Sequence, residues 1–337
     1  MRLFQNILTK QTMAVAVDFA SDALRCIAIE RCTDGTWARR VAFELPPAPI
    51  DRSMADSALR EFSAKISAQG LNGCRCRVAI SSNLFRMDMV QLPTMNEEEL
   101  AASAQFEAID RFGVNAADVM IQHVPLPCKV AGRCSLLLLS VPRHIIRNAT
   151  QVVMAAGLSP CSIENAAYAA LHGAELRHDG FTTGLIAFMH IEAQQAVLLL
   201  IKDGQLQYLR AMQGDWSTHS GVQIGSATHT TVTDSIALEP IDSGGAWRWS
   251  SLAEETLRSL RQACGDSTWP ARIVVTGAPS HDPELLDILK GVCGLESIPV
   301  DSAHWSIGKE ELQSDTWAAA LGAASLDVQT KSTQRAA

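Results

Sequence analysis

The strongest constraint on this chain is that it opens twice in the same way. Residues 14–35 read AVAVDFASDALRCIAIERCTDG, and residues 185–204 read LIAFMHIEAQQAVLLLIKDG. Each has an apolar run, a short polar interruption, a second apolar run and an Asp-Gly pair, Asp34-Gly35 or Asp203-Gly204. Asp-Gly between strand-like runs signals a tight hairpin turn. A third strand is expected after each turn, at 36–45 and at 205–212. Two similar three-stranded meanders, about 170 residues apart, predict an α/β chain with two related lobes facing a cleft.

Between and after the meanders the apolar spacing changes to that of helices. In residues 55–69, Leu59, Phe62 and Ile66 recur at three and four residues. Residues 96–112 have Asn96 as a cap and Glu97, Glu98 and Glu99 in the first turn, where the helix dipole favours acids. Residues 143–157 stop at Gly157, and 252–264 form another helical stretch. Residues 282–294 combine Asp282 as cap, Pro283 at the first position and Gly294 at the end. A closing helix is expected at 315–326. Strands are expected at 77–83, 135–141, 271–277 and 295–300, with a strand or strand–helix turn from 159. The Ser-, Thr- and Gly-rich stretch 214–250 is not assigned, and 327–337 reads as a disordered tail.

Composition narrows the function classes. With 337 residues, 47% of them hydrophobic, the chain can bury the cores of two lobes. Its formal charge of −8 gives no basic footprint for nucleic acid. Nine cysteines without a CxxC pair read as reduced thiols of a cytoplasmic protein, and Cys74-x-Cys76 has no second pair to complete a zinc site. No apolar stretch reaches the roughly 20 residues of a membrane-spanning helix. The opening MRLFQNILTK places Leu3, Phe4, Ile7 and Leu8 on one helical face. Residues 1–12 are therefore expected as a short helix that packs on the body or docks to a membrane surface or partner.

Several stretches resemble the actin-like proteins, and more narrowly the PilM family of type IV pilus assembly proteins. LPTMNEEELAASAQFEAIDRFGV (92–114) is similar to that family's LP-x-M-x-x-x-E-L…E-A…F segment, and RVAISSNLFRMDMVQLP before it to the lead-in strands. LLLLSVPRHIIRNATQVVMAAGLSPCSIE (136–164) resembles the family's strand, helix and AGL-x-P connection, and IVVTG and ALGAA follow in order. The resemblance spans roughly residues 13–326 and extends to the actin-like GspL domains of type II secretion and to mannose-sensitive pilus proteins. It implies an actin-like, ribonuclease H-like bilobal fold. The first lobe would be 13–184 with a subdomain inserted at about 77–158, and the second 185–314, with the closing helix returning to the first lobe. It also implies a cytoplasmic scaffold, peripheral at the inner membrane. Its partner would be the N-terminal peptide of a PilN-like membrane protein, bound between the first lobe and the insert. Leu92, Pro93, Leu100, Phe106, Ile109 and Phe112 are the expected partner-facing residues. A cytoplasmic motor ATPase and self-association are further implied contacts.

The same resemblance implies a nucleotide site, and the residues depart from it. A phosphate hairpin needs glycine for close backbone approach. Asp18 and Ser21 are present, but Ala20 stands at the glycine position, Asp22 adds an acid and Arg25 stands where the family has lysine. In the second hairpin, His190 falls on the aspartate position and Glu192 on the glycine position. The adenosine turn keeps Gly277, but Ala278-Pro279 follows it, and proline has no N–H to donate. The remnant site is thus Asp18, Ser21, Arg25 and Gly277, with no catalytic residue, no metal, and ATP with magnesium disfavoured. The readings set against this are an active actin-like ATPase and a membrane-associated actin-like filament protein.

Overall fold

The computed structural model describes residues 13–333 apart from 32–36, 49, 52–53, 129, 176–182, 217–245, 266–267 and 301–315. The N-terminal segment 1–12, the Asp34-Gly35 turn and most of the unassigned stretch 214–250 lie outside the described residues.

Two five-stranded sheets share one topology. In the first, β1 (Met13–Phe19), β2 (Leu24–Arg31) and β3 (Trp37–Leu45) form an antiparallel meander. On its other side β1 pairs in parallel with β4 (Arg75–Ile80), and β4 pairs in parallel with β8 (Ser159–Asn165). The second repeats this with β9 (Leu185–Ile191), β10 (Gln195–Lys202), β11 (Gln205–Gln213), β12 (Arg272–Gly277) and β13 (Glu296–Pro299). The Asp203-Gly204 turn has positive φ at both residues, 51° and 74°, the geometry that Asp-Gly tolerates best.

Helices cover both faces of the first sheet, so its central strands are apolar on both sides. Val15, Val17, Cys26 and Val78 face α1 (Asp56–Ala68) and α3 (Arg143–Ala155). Ala14, Ala16, Ile27 and Ala79 face the opposite way, toward α4 (Ala166–Glu175) and α7 (Ala318–Thr333). The second sheet buries Ala187, Met189 and Leu198 against α5 (Ala246–Cys264) and α6 (Pro283–Cys293). It turns Phe188, Val197 and Leu199 toward the core that holds α4 and α7. These two small-residue helices therefore lie in the one core shared by both lobes.

The third sheet has order β5-β7-β6, from β5 (Arg86–Pro93), β6 (Val119–Leu126) and β7 (Arg133–Pro142). One face carries α2 (Glu97–Phe112), which begins with the expected Asn96 cap and a capping box to Glu99, and ends at left-handed Gly113. The insert is thus shorter than the expected 77–158. β4 belongs to the first lobe because it pairs with β1, and α3 because Ile145, Ala149 and Val153 pack into that lobe's core. At the other end, α7 runs on to Thr333 through part of the expected tail, since neither Gly nor Pro interrupts residues 323–333.

Candidate functional site

The cleft between the lobes is built from the turns of the two meanders. Phe19 pairs with Leu24 and Ile191 with Ala196 as the last rungs of the two hairpins. That register superposes Asp18 on His190 and Ala20 on Glu192. Asp18, Ser21, Arg25 and Gly277, named from sequence, all line one cavity, together with Asp22, His190, Glu192 and Trp216. The cavity holds about 60 Å³. Small-molecule sites usually enclose about 300–1,000 Å³, several times this volume.

What closes it is a set of hydrogen bonds across the lobes. Glu192 Oε2 accepts from the Ser82 amide at 2.7 Å, at the start of the short 3-10 turn Ser82–Leu84. Asn83 donates to Gln194 Oε1 at 2.9 Å, and the Ala193 amide donates to Ser21 Oγ at 3.3 Å. Behind Ser82, its hydroxyl reaches Asn165 Oδ1 at 3.1 Å, and Asn165 also accepts from the Ala167 amide at the start of α4. Glu192, at the glycine position of the second hairpin, therefore fastens its loop to the opposite lobe.

The charges are arranged in the same sense. Asp18 is 1% exposed, and burial pushes its carboxyl from the ordinary 3.8 to about 8, with Arg25 opposing and Glu192 adding to the rise. Burial likewise raises Glu192. Arg25 is buried and spent: it meets Asp22 at 2.6 and 3.1 Å and Glu44 at 2.9 Å. Burial opposes ionisation of Asp22, but the Arg25 guanidinium outweighs it and holds that carboxyl below its usual range. Burial takes His190 down from 6.5 to about 4, so its ring is neutral at pH 7 and hydrogen-bonds Thr276 Oγ1 at 2.9 Å. Gly277 has a packing reason of its own: at φ 102° a Cβ there would lie 1.9 Å from the Ile191 carbonyl oxygen. A phosphate chain entering here would meet two buried acids and a cation already paired. Among the described residues, no group of three or more His, Cys, Asp or Glu is placed to hold a metal.

A second, larger opening lies between the insert and the first lobe. This groove holds about 460 Å³ and is mostly apolar. Met120, Gln122 and Val124 of β6, with Leu139 and Val141 of β7, form one wall. Phe85, Ile146, Ile163, Tyr168 and His172 form the other. None of the six residues expected to face a partner lines it. Leu92 and Phe112 are buried in the insert's own core, and Leu100 packs against them. Phe106 is 71% exposed, with Pro93 exposed and Ile109 half-buried. The reason is the pleat. Leu136 and Leu138 face α2, so Leu139 and Val141 face the first lobe, and α2 sits behind the wall rather than in it. β6 went unassigned in the sequence, although Val-Met-Ile-Gln-His-Val carries a strand's alternation of exposure.

No protein-family model matches the sequence, and no curated protein matches it. Among solved structures, the chain is similar to one described as a PilM-PilN type IV pilus biogenesis complex. The TM-score is 0.70 at 15% identity, over 94% of this chain and 98% of that one. The fold is the actin-like one. Weaker likenesses are the cytoplasmic domain of EpsL, an inner-membrane component of the Vibrio cholerae type II secretion system, and a Bacteroides thetaiotaomicron protein of actin-like ATPase fold and unknown function. The first has TM-score 0.48 at 11% identity over 94% and 95% of the two chains, the second 0.49 at 9% over 87% and 92%. Among the described residues, no helix is long and apolar enough to cross a membrane.

Proposed function

We propose that this protein is a PilM-like scaffold of a type IV pilus or related secretion machine. It works at the cytoplasmic face of the inner membrane and recruits the N-terminal peptide of a PilN-like membrane protein. The observation that carries this reading is the 460 Å³ apolar groove between insert and first lobe, in a fold that matches a PilM-PilN structure over nearly its whole length. Calorimetric titration with the N-terminal peptide of the cognate membrane protein tests it. Binding is expected for the wild-type protein. Val124, 39% exposed in the groove wall, gives the site test: Val124→Glu should weaken binding at least about tenfold with an unchanged unfolding midpoint. An unaffected affinity would remove the groove from the reading.

In the same reading the cleft is a retired nucleotide site. Its small volume, the paired Arg25 and the Glu192 latch support this. ATP with magnesium at millimolar concentration is expected to give no binding heat and no turnover. Ala20→Gly should not change that, because the missing glycine is only one of the obstacles. Tight magnesium-dependent binding by either protein would restore the ATPase reading.

A further inference from the structure

On its solvent side, α3 presents a cationic stripe. Arg143, Arg147 and Met154 recur at four and seven residues, so they share one stripe, and all three are exposed, Met154 by 60%. No acid occurs anywhere in α3. Arg143 Nε donates to the Ala117 carbonyl at 3.1 Å, and among the described residues neither arginine is in an ion pair. The neighbouring helix α1 adds Arg60 and Lys65 against Asp56 and Glu61. The other side of α3 is taken: Ile145, Ala149 and Val153 are buried, and Ile146 lines the groove.

The amphipathic stretch at the start of the sequence has the same character and no place in the docking reading. It carries Arg2 and Lys10, the apolar set Leu3, Phe4, Ile7 and Leu8, and no acid before Asp18. It is joined to the body at Met13, which packs against the core beneath α3. β1 begins at the end of the sheet where α3 finishes. Val15 lies beside Cys76 of β4, and the Gly73 amide just before β4 donates to the Gly157 carbonyl just after α3, at 2.7 Å. Met13 is therefore at the Met154 end of that helix.

We propose that the exposed face of α3 rests on an anionic lipid surface, with the stretch 2–10 as its second contact. The two arginines meet the phosphates of the headgroups. Met154 and the apolar residues of the stretch enter the interface, as amphipathic segments do. Ten extended residues span about 33 Å, against about 20 Å for the whole of α3, so the stretch reaches any part of that face. Charge selects the orientation: the chain is −8 overall, so an anionic surface attracts this face and repels the remainder. A few cations alone bind weakly, and joining them to an apolar segment gives the two signals that hold a protein at a bilayer. The proposal does not depend on peptide docking, although it puts the groove, through Ile146, beside the membrane.

The test floats the full chain with vesicles rich in phosphatidylglycerol and with vesicles of phosphatidylcholine alone. Binding is expected to the first and not the second, and it should fall as salt is added. Arg147→Glu removes one attraction and adds one repulsion, each about fivefold, so it should weaken binding about tenfold or more at an unchanged unfolding midpoint. Arg258→Glu is the control. It changes the net charge equally but lies on the second lobe, where Arg258 already meets Glu255 at 2.9 Å, so it should bind as wild type. Phe4→Glu should also weaken binding, and no loss there would strike out the second contact. Equal losses from Arg147→Glu and Arg258→Glu, or none from Arg147→Glu, overturn the assignment to α3. A wild-type chain that ignores phosphatidylglycerol, or binds both vesicles alike, overturns the whole proposal and leaves the docking reading, measured separately with its peptide, standing.

Discussion

Gly322→Val is expected to leave the chain unable to reach a stable fold, and Gly322→Ala to cost about 3 kcal/mol or more. A Cβ on Gly322 would sit 1.6 Å from the Ala169 carbonyl oxygen and 2.6 Å from the Gly173 amide nitrogen. Both are backbone atoms of α4, so no side chain can rotate away. The facing position is equally tight: a Cβ on Gly173 would lie 2.4 Å from the Ala318 carbonyl oxygen. Separating α4 from α7 by even one methyl radius would open the core that both lobes share, where Ala166, Ala170, Ala319 and Ala323 are all buried. Urea unfolding of the soluble variants measures the loss. Gly291→Ala in α6 is the contrast: nothing lies within 4 Å of its Cβ position, so the change should stabilise by about 0.5–1 kcal/mol. Equal effects at the two sites would refute the close-packing argument.

The second large effect is a loss of about 2 kcal/mol in stability between pH 6.5 and 8, mostly removed by Asp18→Asn. Folded Asp18 titrates at about 8 against an ordinary 3.8, because burial disfavours its charge. Between those values the folded chain holds a proton that the unfolded chain has lost, so stability falls as pH rises, by about 1.4 kcal/mol per unit at most. His190 works the other way, being held at about 4 against 6.5. Between pH 4 and 6.5 the unfolded chain binds the extra proton at that histidine, so stability rises with pH and roughly offsets Asp18. Above 6.5 the histidine contribution is constant and only the acids remain. Burial also raises Glu192, which adds in the same direction as Asp18, while Arg25 limits the effect. Denaturant midpoints across this range measure it. Asp18→Asn mimics the protonated acid, so the variant should match wild type only below about pH 3.8, where the unfolded acid is protonated too, and exceed it increasingly from there to pH 8. A flat wild-type profile would show that Asp18 is not held protonated.

The two results concern the same design. In the proposed reading, a cleft with a neutral Asp18, a latched Glu192 and an Arg25 shared by two acids serves to hold the lobes together. Catalysis by phosphoryl transfer would need the reverse, with charges free to meet a ligand. The interlobe bonds from Ser82, Asn83 and Ser21 supply the holding.

Much of this was legible in the chain alone. The duplicated meanders, the capped helix from Asn96 and the Asp282-Pro283 helix start follow from signals confined to a few neighbouring residues or to a direct repeat, whereas the grouping of Asp18, Ser21, Arg25 and Gly277 came from the family resemblance. Such signals act through backbone conformation and periodicity, which a sequence displays openly. What only the tertiary structure decided lies between distant segments. Glu192 meets Ser82 across 110 positions. Phe106 is exposed while Phe112 is buried, because α2 lies behind the insert's sheet. The groove exists because β6 and β8, edges of two different sheets, stop short of each other. A pattern of apolar residues states that a face will be covered, but not by what. That is settled only when the elements pack, and among the described residues they leave an apolar groove open between the insert and the first lobe.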